Sequence, residues 1–399
     1  MVLETDLVFA RASVALQKPG GHNDLNPFRF PGHVFLESPL LPVTPGMRGD
    51  GYYDNHSSPQ MAAIEAVVPW LEAAVEQMDL TAIGTPVVVA DFGCSEGRNA
   101  IAAAGKIITA FSARDARSIQ MVYSDLPTNN FNQLFANLYP AGQAVFPGTD
   151  VFSAAVGGSM FDQLLPSKTV TVATTYNAIG FLNRRPAVPL LDYILPMGPG
   201  RPRPGVEITP LARQAYSAQA REDLVGFYSA RAAEMVPGGK LLIASFGVDD
   251  RYRACDGLYD VVNDALLDLV ASGQLHRESY ERLVFPIYFR TAEELVEPVS
   301  GPEPSMAEQF RLDRVDSMEV PVPFNQQLEQ SGDVPAYAKA FTDFMRAFTE
   351  PIIRMTFANE AELDSLVTEL YARVEARLTG DPYGYAFHYV QVAALLTKR

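Results

Sequence analysis

An acid followed by two closely spaced glycines is the strongest chemical signal in this sequence. Asp91 ends a β-branched run that begins at Pro86, and Gly93 and Gly97 follow before a predicted helix. The spacing is not the GxGxxG of dinucleotide sites, and no Lys-Ser or Lys-Thr pair follows it. Glycines let the backbone turn sharply and approach a ligand, and a carboxylate attracts cations. The pattern fits the cationic tail of S-adenosylmethionine; an ordinary strand–turn–helix corner is the alternative.

A second acid, Asp125, lies at the end of the next predicted strand. In a doubly wound sheet, an acid at that place can accept hydrogen bonds from both ribose hydroxyls of a nucleotide. A lone acid at a strand end is more often simply solvated. Two successive strand ends that each carry an acid, the first with paired glycines, favour a cofactor that contains a nucleoside.

The elements that must position these acids can also be predicted. Strand–helix alternation indicates parallel strands with helices on both faces of one sheet. An apolar face over Ser58–Met78 predicts the first helix, and helical patterns near Leu258–Leu275 and Tyr337–Leu378 predict a cap beside the sheet. Besides the run before Asp91, the predicted strands are Ile119–Ser124, Val170–Thr175, Lys240–Phe246 and Phe387–Leu396.

Composition argues against several classes of function. The net charge of −16 opposes a phosphate backbone, so we expect no nucleic-acid partner. Two cysteines and five histidines show no zinc spacing, so no metal site is predicted. His56 is the only histidine in the motifs described below, and no His–Asp or His–Glu pair is evident within them. The first residues are acidic where a secretory signal is basic, and no apolar run reaches membrane length. We therefore expect a cytoplasmic protein with no membrane insertion.

Seven motifs follow one another in a fixed order from about residue 50 to the C-terminus. They begin at Tyr53 (YxxxSxxQ), Asp91 (DFGCSxGxN), Asp125 (DLPxNxFN), Val156 (VGGSMFxxLLP), Phe227 (FxxxRxxExxxGG), Phe285 (FPxY) and Arg346 (RAFxEP). In this order they resemble the SABATH methyltransferases, which methylate salicylic, benzoic and related acids and also xanthine nitrogens. The resemblance implies a class I, Rossmann-like α/β fold with a seven-stranded sheet and an α-helical cap, S-adenosylmethionine as cofactor, and a possible homodimer.

The resemblance also implies roles for individual residues. Gln60 would position the substrate carboxylate by donating its amide N–H. The residues expected at the cofactor are Ser57, Asp91, Gly93, Ser95, Gly97, Asn99, Asp125, Leu126, Ser159 and Met160. The residues expected at the substrate are Tyr53, Gln60, Tyr176, Asn177, Ile179, Phe181, Phe246, Leu258, Tyr259, Met345, Phe348 and Tyr389. For each apolar member, plain core packing is the alternative.

One donor that the family pattern implies is missing. The family usually has a tryptophan whose indole N–H helps the glutamine hold the carboxylate. That position falls here on Gly180 or Phe181, and neither side chain can donate a hydrogen bond. The sole tryptophan, Trp70, lies elsewhere in the sequence. The candidate replacements are Asn177, Tyr176 and Arg184.

The sequence is therefore interpreted as an S-adenosylmethionine-dependent methyltransferase that forms the methyl ester of a small, largely apolar carboxylic acid. Positioning and water exclusion would supply the catalysis, because the acid is already ionised near neutral pH. The alternatives are N- or O-methylation of a heterocycle or hydroxyl, and a catalytically impaired small-molecule-binding homologue. The predicted organisation is an N-terminal extension or arm (1–50), the α/β core (51–250), a mainly helical cap that returns to the core (251–380) and a final strand (381–399).

Overall fold

Seven strands form one sheet, as predicted. The computed structural model describes residues 44–114, 117–147, 150–190 and 192–399, so most of the predicted N-terminal extension, residues 1–43, lies outside the described residues. The strands are β1 (Val87–Phe92), β2 (Ile119–Asp125), β3 (Val151–Gly157), β4 (Val170–Tyr176), β5 (Met235–Phe246), β6 (Phe310–Val320) and β7 (Tyr389–Lys398). Their order is β3-β2-β1-β4-β5-β7-β6, and β7 runs against the other six.

Helices cover both faces of this sheet. They are α1 (Tyr52–His56), α2 (Ser58–Glu76), α3 (Arg98–Ser112), α4 (Phe131–Leu138), α5 (Pro210–Glu234), α6 (Asp256–Ala271), α7 (Arg277–Arg282), α8 (Ala292–Ser300), α9 (Pro323–Ser331), α10 (Val334–Thr356) and α11 (Leu363–Gly380). Apolar residues of α2, α3 and α4, such as Leu71, Phe111 and Leu134, pack on one face. Leu224 of α5 and Leu295 of α8 pack on the other. The predicted α/β architecture is confirmed.

The predicted helical cap is also present. It is built from α6, α7, α9, α10 and α11, whose buried side chains form one apolar cluster that includes Leu266 and Phe341. Phe246 at the end of β5 and Tyr389 at the start of β7 belong to the same cluster. Parallel strands end at this edge of the sheet, so the cap lies beside the edge that carries the predicted acids.

The structure adds two strands that the sequence pattern did not predict, β3 and β6. Both are edge strands, and β6 is interrupted by an irregularity in register between Leu312 and Arg314 that breaks the alternation of apolar and polar residues. Two elements of the 251–380 range lie outside the cap: α8 packs on one face of the sheet, and β6 is one of its strands. Among the described residues, no helix is long and apolar enough to cross a membrane.

Candidate active site

Asp91 lies near the carboxyl end of β1, the third strand from one edge of the sheet. Its side chain is 4% exposed, and its carboxylate accepts a hydrogen bond of 2.6 Å from the Thr174 hydroxyl of β4. Burial, partly offset by that hydrogen bond and reinforced by the charge of Asp125, raises the pKa of Asp91 to about 7. A carboxyl group with this pKa is poised to ionise when a cation approaches it.

The loop after β1 turns through glycines that cannot be replaced without strain. Gly93 and Gly97 have φ of 93° and 101°, in the left-handed region that favours glycine. A Cβ on Gly93 would stand 2.2 Å from the Cβ of Ala178, and a Cβ on Gly97 would stand 2.4 Å from Leu134. The loop therefore runs close to its neighbours and begins α3 with its backbone facing the carboxyl edge of the sheet.

Asp125, at the end of β2, is tied to the same loop. Its two carboxylate oxygens accept backbone N–H bonds from Ser95 at 2.6 Å and from Leu126 at 2.8 Å. Burial raises the pKa of Asp125, and these two bonds lower it in part. Each carboxylate oxygen can accept a further bond. The buried Ser95 hydroxyl has no hydrogen-bond partner among the described residues, so the loop offers polar atoms to a ligand.

The residues just before α2, Arg48–Ser57, which we term the strap, fasten this loop from the other side. Glu96 accepts the Gly51 N–H at 3.1 Å, and Asp54 accepts bonds from the Arg98 N–H at 3.3 Å and the Asn137 amide at 2.6 Å. The predicted cofactor residues Ser57 and Asn99 bond to each other at 3.0 Å.

The other side of the strap contacts the cap. Arg48 forms an ion pair of 2.9 Å with Glu350 of α10, and Tyr52 donates a hydrogen bond of 3.0 Å to Asp343. Tyr53, between these contacts, interacts electrostatically with both Asp91 and Asp125. The strap therefore joins the loop after β1 to the cap.

Gln60 lies one turn into α2, the helix that follows the strap. The side chain is 3% exposed, and its oxygen has no hydrogen-bond partner among the described residues. Neighbouring positions on this face of the helix contact both halves of the site, since Ala63 packs in the cap cluster and Ile64 packs beside Tyr176. A buried amide oxygen without a partner is costly, so the placement of this side chain suits a ligand that completes its hydrogen bonds.

The structure brings most of the predicted substrate residues together. Six of them belong to the cap cluster, and Tyr53 and Phe181 pack against it; the six are Phe246, Leu258, Tyr259, Met345, Phe348 and Tyr389. Two others lie apart from this group. Tyr176 packs with α2 and α3, and Ile179 packs in the core on the opposite face of the sheet.

The remaining predicted cofactor residues, Ser159 and Met160, follow β3. The Gly158 N–H donates to the Asp125 carbonyl at 2.9 Å, which brings this turn to the end of β2. The Met160 carbonyl accepts from the buried guanidinium of Arg231 at 2.8 Å. The turn is thus held beside Asp125.

The segment without the expected tryptophan forms a short 3-10 turn, Ala178–Gly180. A Cβ on Gly180 would stand 3.2 Å from the Ser245 hydroxyl, so a larger residue there would be crowded. Of the candidate replacements, Arg184 is largely exposed and lies 3.8 Å from the equally exposed Glu222. That leaves Tyr176 and Asn177 as candidates within the site.

Sequence reasoning missed several polar residues that shape the site, including Thr174, Glu96 and Asp54. Their partners lie 83, 45 and 44 residues away in the sequence, so spacing gave no signal. Two histidines also lie near acids that are distant in the sequence: His388 lies 2.8 Å from Glu319, and His56 lies 3.8 Å from Asp343. Within the described ranges, no group of three or more potential ligands could hold a metal ion.

Comparisons with known proteins found several relatives of this chain. Gibberellic acid methyltransferase 2 of Arabidopsis thaliana is 26% identical over 380 residues, covering 86% of this chain and 94% of that protein. Paraxanthine methyltransferase 2 of the same plant is 29% identical over 259 residues, covering 61% and 71%. The solved structure of loganic acid methyltransferase with S-adenosylhomocysteine shares the fold, with a TM-score of 0.70 at 23% identity over 88% of this chain and 98% of that one.

A model of the S-adenosylmethionine-dependent carboxyl methyltransferases matches residues 43–399. Because that match includes β1 to β7, the cap and the predicted cofactor loop, the chain belongs to the S-adenosylmethionine-dependent carboxyl methyltransferase family.

Proposed function

We propose that the enzyme methylates the carboxylate of a small, largely apolar acid held between the cap cluster and the carboxyl edge of the sheet. The observation that carries this proposal is the buried Gln60 side chain, whose amide oxygen has no hydrogen-bond partner among the described residues, on a helix that packs against both parts of the site. A half-turn of this amide exchanges its oxygen and its nitrogen, so the same side chain can present a donor. Its N–H would orient the substrate carboxylate. Aromatic and aliphatic side chains around it favour an apolar acid over a polar one.

The residues at the loop fit the cofactor. Asp91 would hold the ammonium group and Asp125 the ribose hydroxyls. Gly93 and Gly97 let the loop turn closely against Ala178 and Leu134, and the unpartnered Ser95 hydroxyl adds a polar contact. When bound, S-adenosylmethionine supplies an electrophilic methyl group on a sulfonium. The enzyme's own part is to orient an already ionised nucleophile and to exclude water. Homodimer formation and a cytoplasmic location stay predictions.

A heterocycle is the second candidate substrate. The paraxanthine relative acts, by its name, on a purine that carries no carboxyl group, and the missing indole N–H at Gly180 or Phe181 weakens the expected carboxylate site. A catalytically impaired homologue is the third possibility, and the acids Asp91 and Asp125, both present at the loop, argue against it.

The test is a turnover assay with S-adenosylmethionine and a library of apolar aromatic and alicyclic acids, with methylated purines and matched alcohols in parallel. Mass spectrometry would identify the product. Methyl esters formed from acids alone support the proposal. Methylation of purines or alcohols alone would favour N- or O-methylation of a heterocycle or hydroxyl. Cofactor binding without turnover on any compound would favour the catalytically impaired homologue.

A further inference from the structure

The hydroxyl of Tyr389 is held in a hydrogen-bond arrangement with a fixed direction. Asn177 follows β4 with φ of 64°, a left-handed conformation that asparagine tolerates better than most residues. Its side-chain oxygen accepts the Phe246 backbone N–H at 3.1 Å, and its side-chain nitrogen donates to the Tyr389 hydroxyl at 2.9 Å. A backbone N–H can only donate, so the oxygen of the Asn177 amide must face Phe246 and the nitrogen must face Tyr389.

This direction decides what the tyrosine can do. Since the Tyr389 oxygen accepts from Asn177, its own O–H proton points elsewhere, and no acceptor for it occurs among the residues that the structure describes. Burial raises the pKa of Tyr389 well above its usual value, with the Asn177 bond opposing the rise and Tyr53 adding to it. The hydroxyl therefore stays protonated and available as a donor across the physiological range.

The same hydroxyl lies on the substrate side of the site. Tyr389 starts β7 at the sheet edge where β5 ends, and its ring packs on Phe246 with centroids 4.5 Å apart. It shares the cap cluster with Ala63, which lies three residues after Gln60 on α2. The Tyr53 side chain interacts electrostatically with Tyr389 as well as with the cofactor acids.

Tyr176 is the competing donor, and its surroundings differ. Its hydroxyl has no hydrogen-bond partner of normal geometry among the described residues, whereas the Tyr389 hydroxyl accepts from Asn177. Its ring packs against the cluster of Ile64, Val68 and Ala103 on α2 and α3, and burial raises its pKa, with the charge of Asp91 adding to the rise. Those contacts put Tyr176 on the cofactor side, away from the cap.

We propose that the Tyr389 hydroxyl, oriented by Asn177, is the second hydrogen-bond donor to the substrate carboxylate, opposite the amide of Gln60. This inference rests on the proposed function. It gives the enzyme two donors for one carboxylate without an indole N–H at the Gly180–Phe181 position, and it assigns Asn177 as a positioning residue that acts through Tyr389.

The first test is Tyr389→Phe, assayed with the acid that the library identifies. A lost bond to a charged group should reduce kcat/KM about tenfold to one-hundredfold, while cofactor affinity by calorimetry stays unchanged. Tyr371→Phe is the matched control, because it also removes a buried, hydrogen-bonded hydroxyl from the cap cluster, 2.7 Å from the Thr349 hydroxyl. The control should keep full activity.

The second test reverses the direction of the bond. Asn177→Asp has nearly the same shape but only accepts, so it would take the Tyr389 proton. We expect a loss at least as large as that of Tyr389→Phe, and no further loss when Tyr389→Phe is added to Asn177→Asp, because the donor is already engaged.

Ester formation that survives Tyr389→Phe but is lost in Tyr176→Phe would overturn this inference and leave the proposed function intact. The inference would also be overturned if Tyr389→Phe lowered kcat/KM by the same factor in the unaltered enzyme and in the Asn177→Asp variant. Absence of methyl esters from the unaltered enzyme would instead contradict the proposed function itself.

Discussion

Cofactor binding should release a proton from Asp91 near neutral pH. In the free enzyme, burial and the neighbouring charge of Asp125 raise the pKa of Asp91 to about 7. A bound ammonium group would favour the carboxylate and lower that pKa. Cofactor affinity should therefore fall as the pH falls through 7, because a protonated Asp91 must lose its proton before it can pair with the ligand.

The size of the effect follows from the ionised fraction. With a pKa of about 7, Asp91 is about one-half ionised at about pH 7 and about one-tenth ionised at about pH 6. The dissociation constant should rise about fivefold when the pH falls from about 7 to about 6, which is about 1 kcal/mol, and about tenfold when the pH falls by a further unit. Below about pH 7 an α-amino group remains protonated, so the ligand's own titration contributes little.

The assay is calorimetric titration with S-adenosylhomocysteine in buffers that differ in ionisation enthalpy. At about pH 6, about 0.9 proton should be released per ligand bound. Methylthioadenosine, which keeps the nucleoside and lacks the ammonium group, is the control for the other acids of the loop. Its affinity should be flat with pH, and Asp91→Asn should abolish proton release. Equal pH dependence for both ligands would refute the role given to Asp91.

Three further outcomes are expected. Asp125→Ala should keep its fold by circular dichroism and lose cofactor affinity by about 1.5–3 kcal/mol per lost bond; unchanged affinity would remove Asp125 from the cofactor site. Gln60→Ala should lower kcat/KM for the acid far more than cofactor affinity, and full activity would make Gln60 structural. With saturating cofactor, the rate between about pH 6 and 9 should be flat and His56→Ala active, because a carboxylate needs no general base. A change in the rate near neutral pH that is absent from His56→Ala would instead favour a nucleophile that must lose a proton.

The parts of the fold that sequence could predict are the buried ones. Central strands such as β1 and β4 are short, buried runs rich in β-branched residues, and α2 and α10 show clear helical periodicity, so their positions followed from pattern alone. The edge strands were missed because their patterns are weaker. In β3, Phe152 is 56% exposed and the neighbouring residues are small, while β6 alternates charged with apolar residues only until its irregularity.

The candidate site divides in the same way. Asp91, Asp125 and Gln60 stand in motifs with fixed spacing. Asp91 and Asp125 lie at the ends of β1 and β2, as the strand pattern predicted, and the roles given to all three residues stay predictions. The link between Asn177 and Tyr389 spans 212 residues, and the bond between Gly51 and Glu96 depends on the strap meeting the loop. Contacts of this kind depend on tertiary packing, so no periodicity or spacing in one sequence could predict them.

The acids around the loop after β1 also explain why this edge of the sheet selects a cationic cofactor. Asp91, Asp125, Glu96 and Asp54 converge around one turn, and burial raises the pKa of each. A phosphate group would add negative charge to carboxylates that are already poorly solvated, so a dinucleotide or triphosphate would be repelled. An ammonium and a sulfonium instead offset that repulsion. The first motif alone left an ordinary loop as an alternative, and the convergence of four carboxylates is the physical reason to prefer S-adenosylmethionine there.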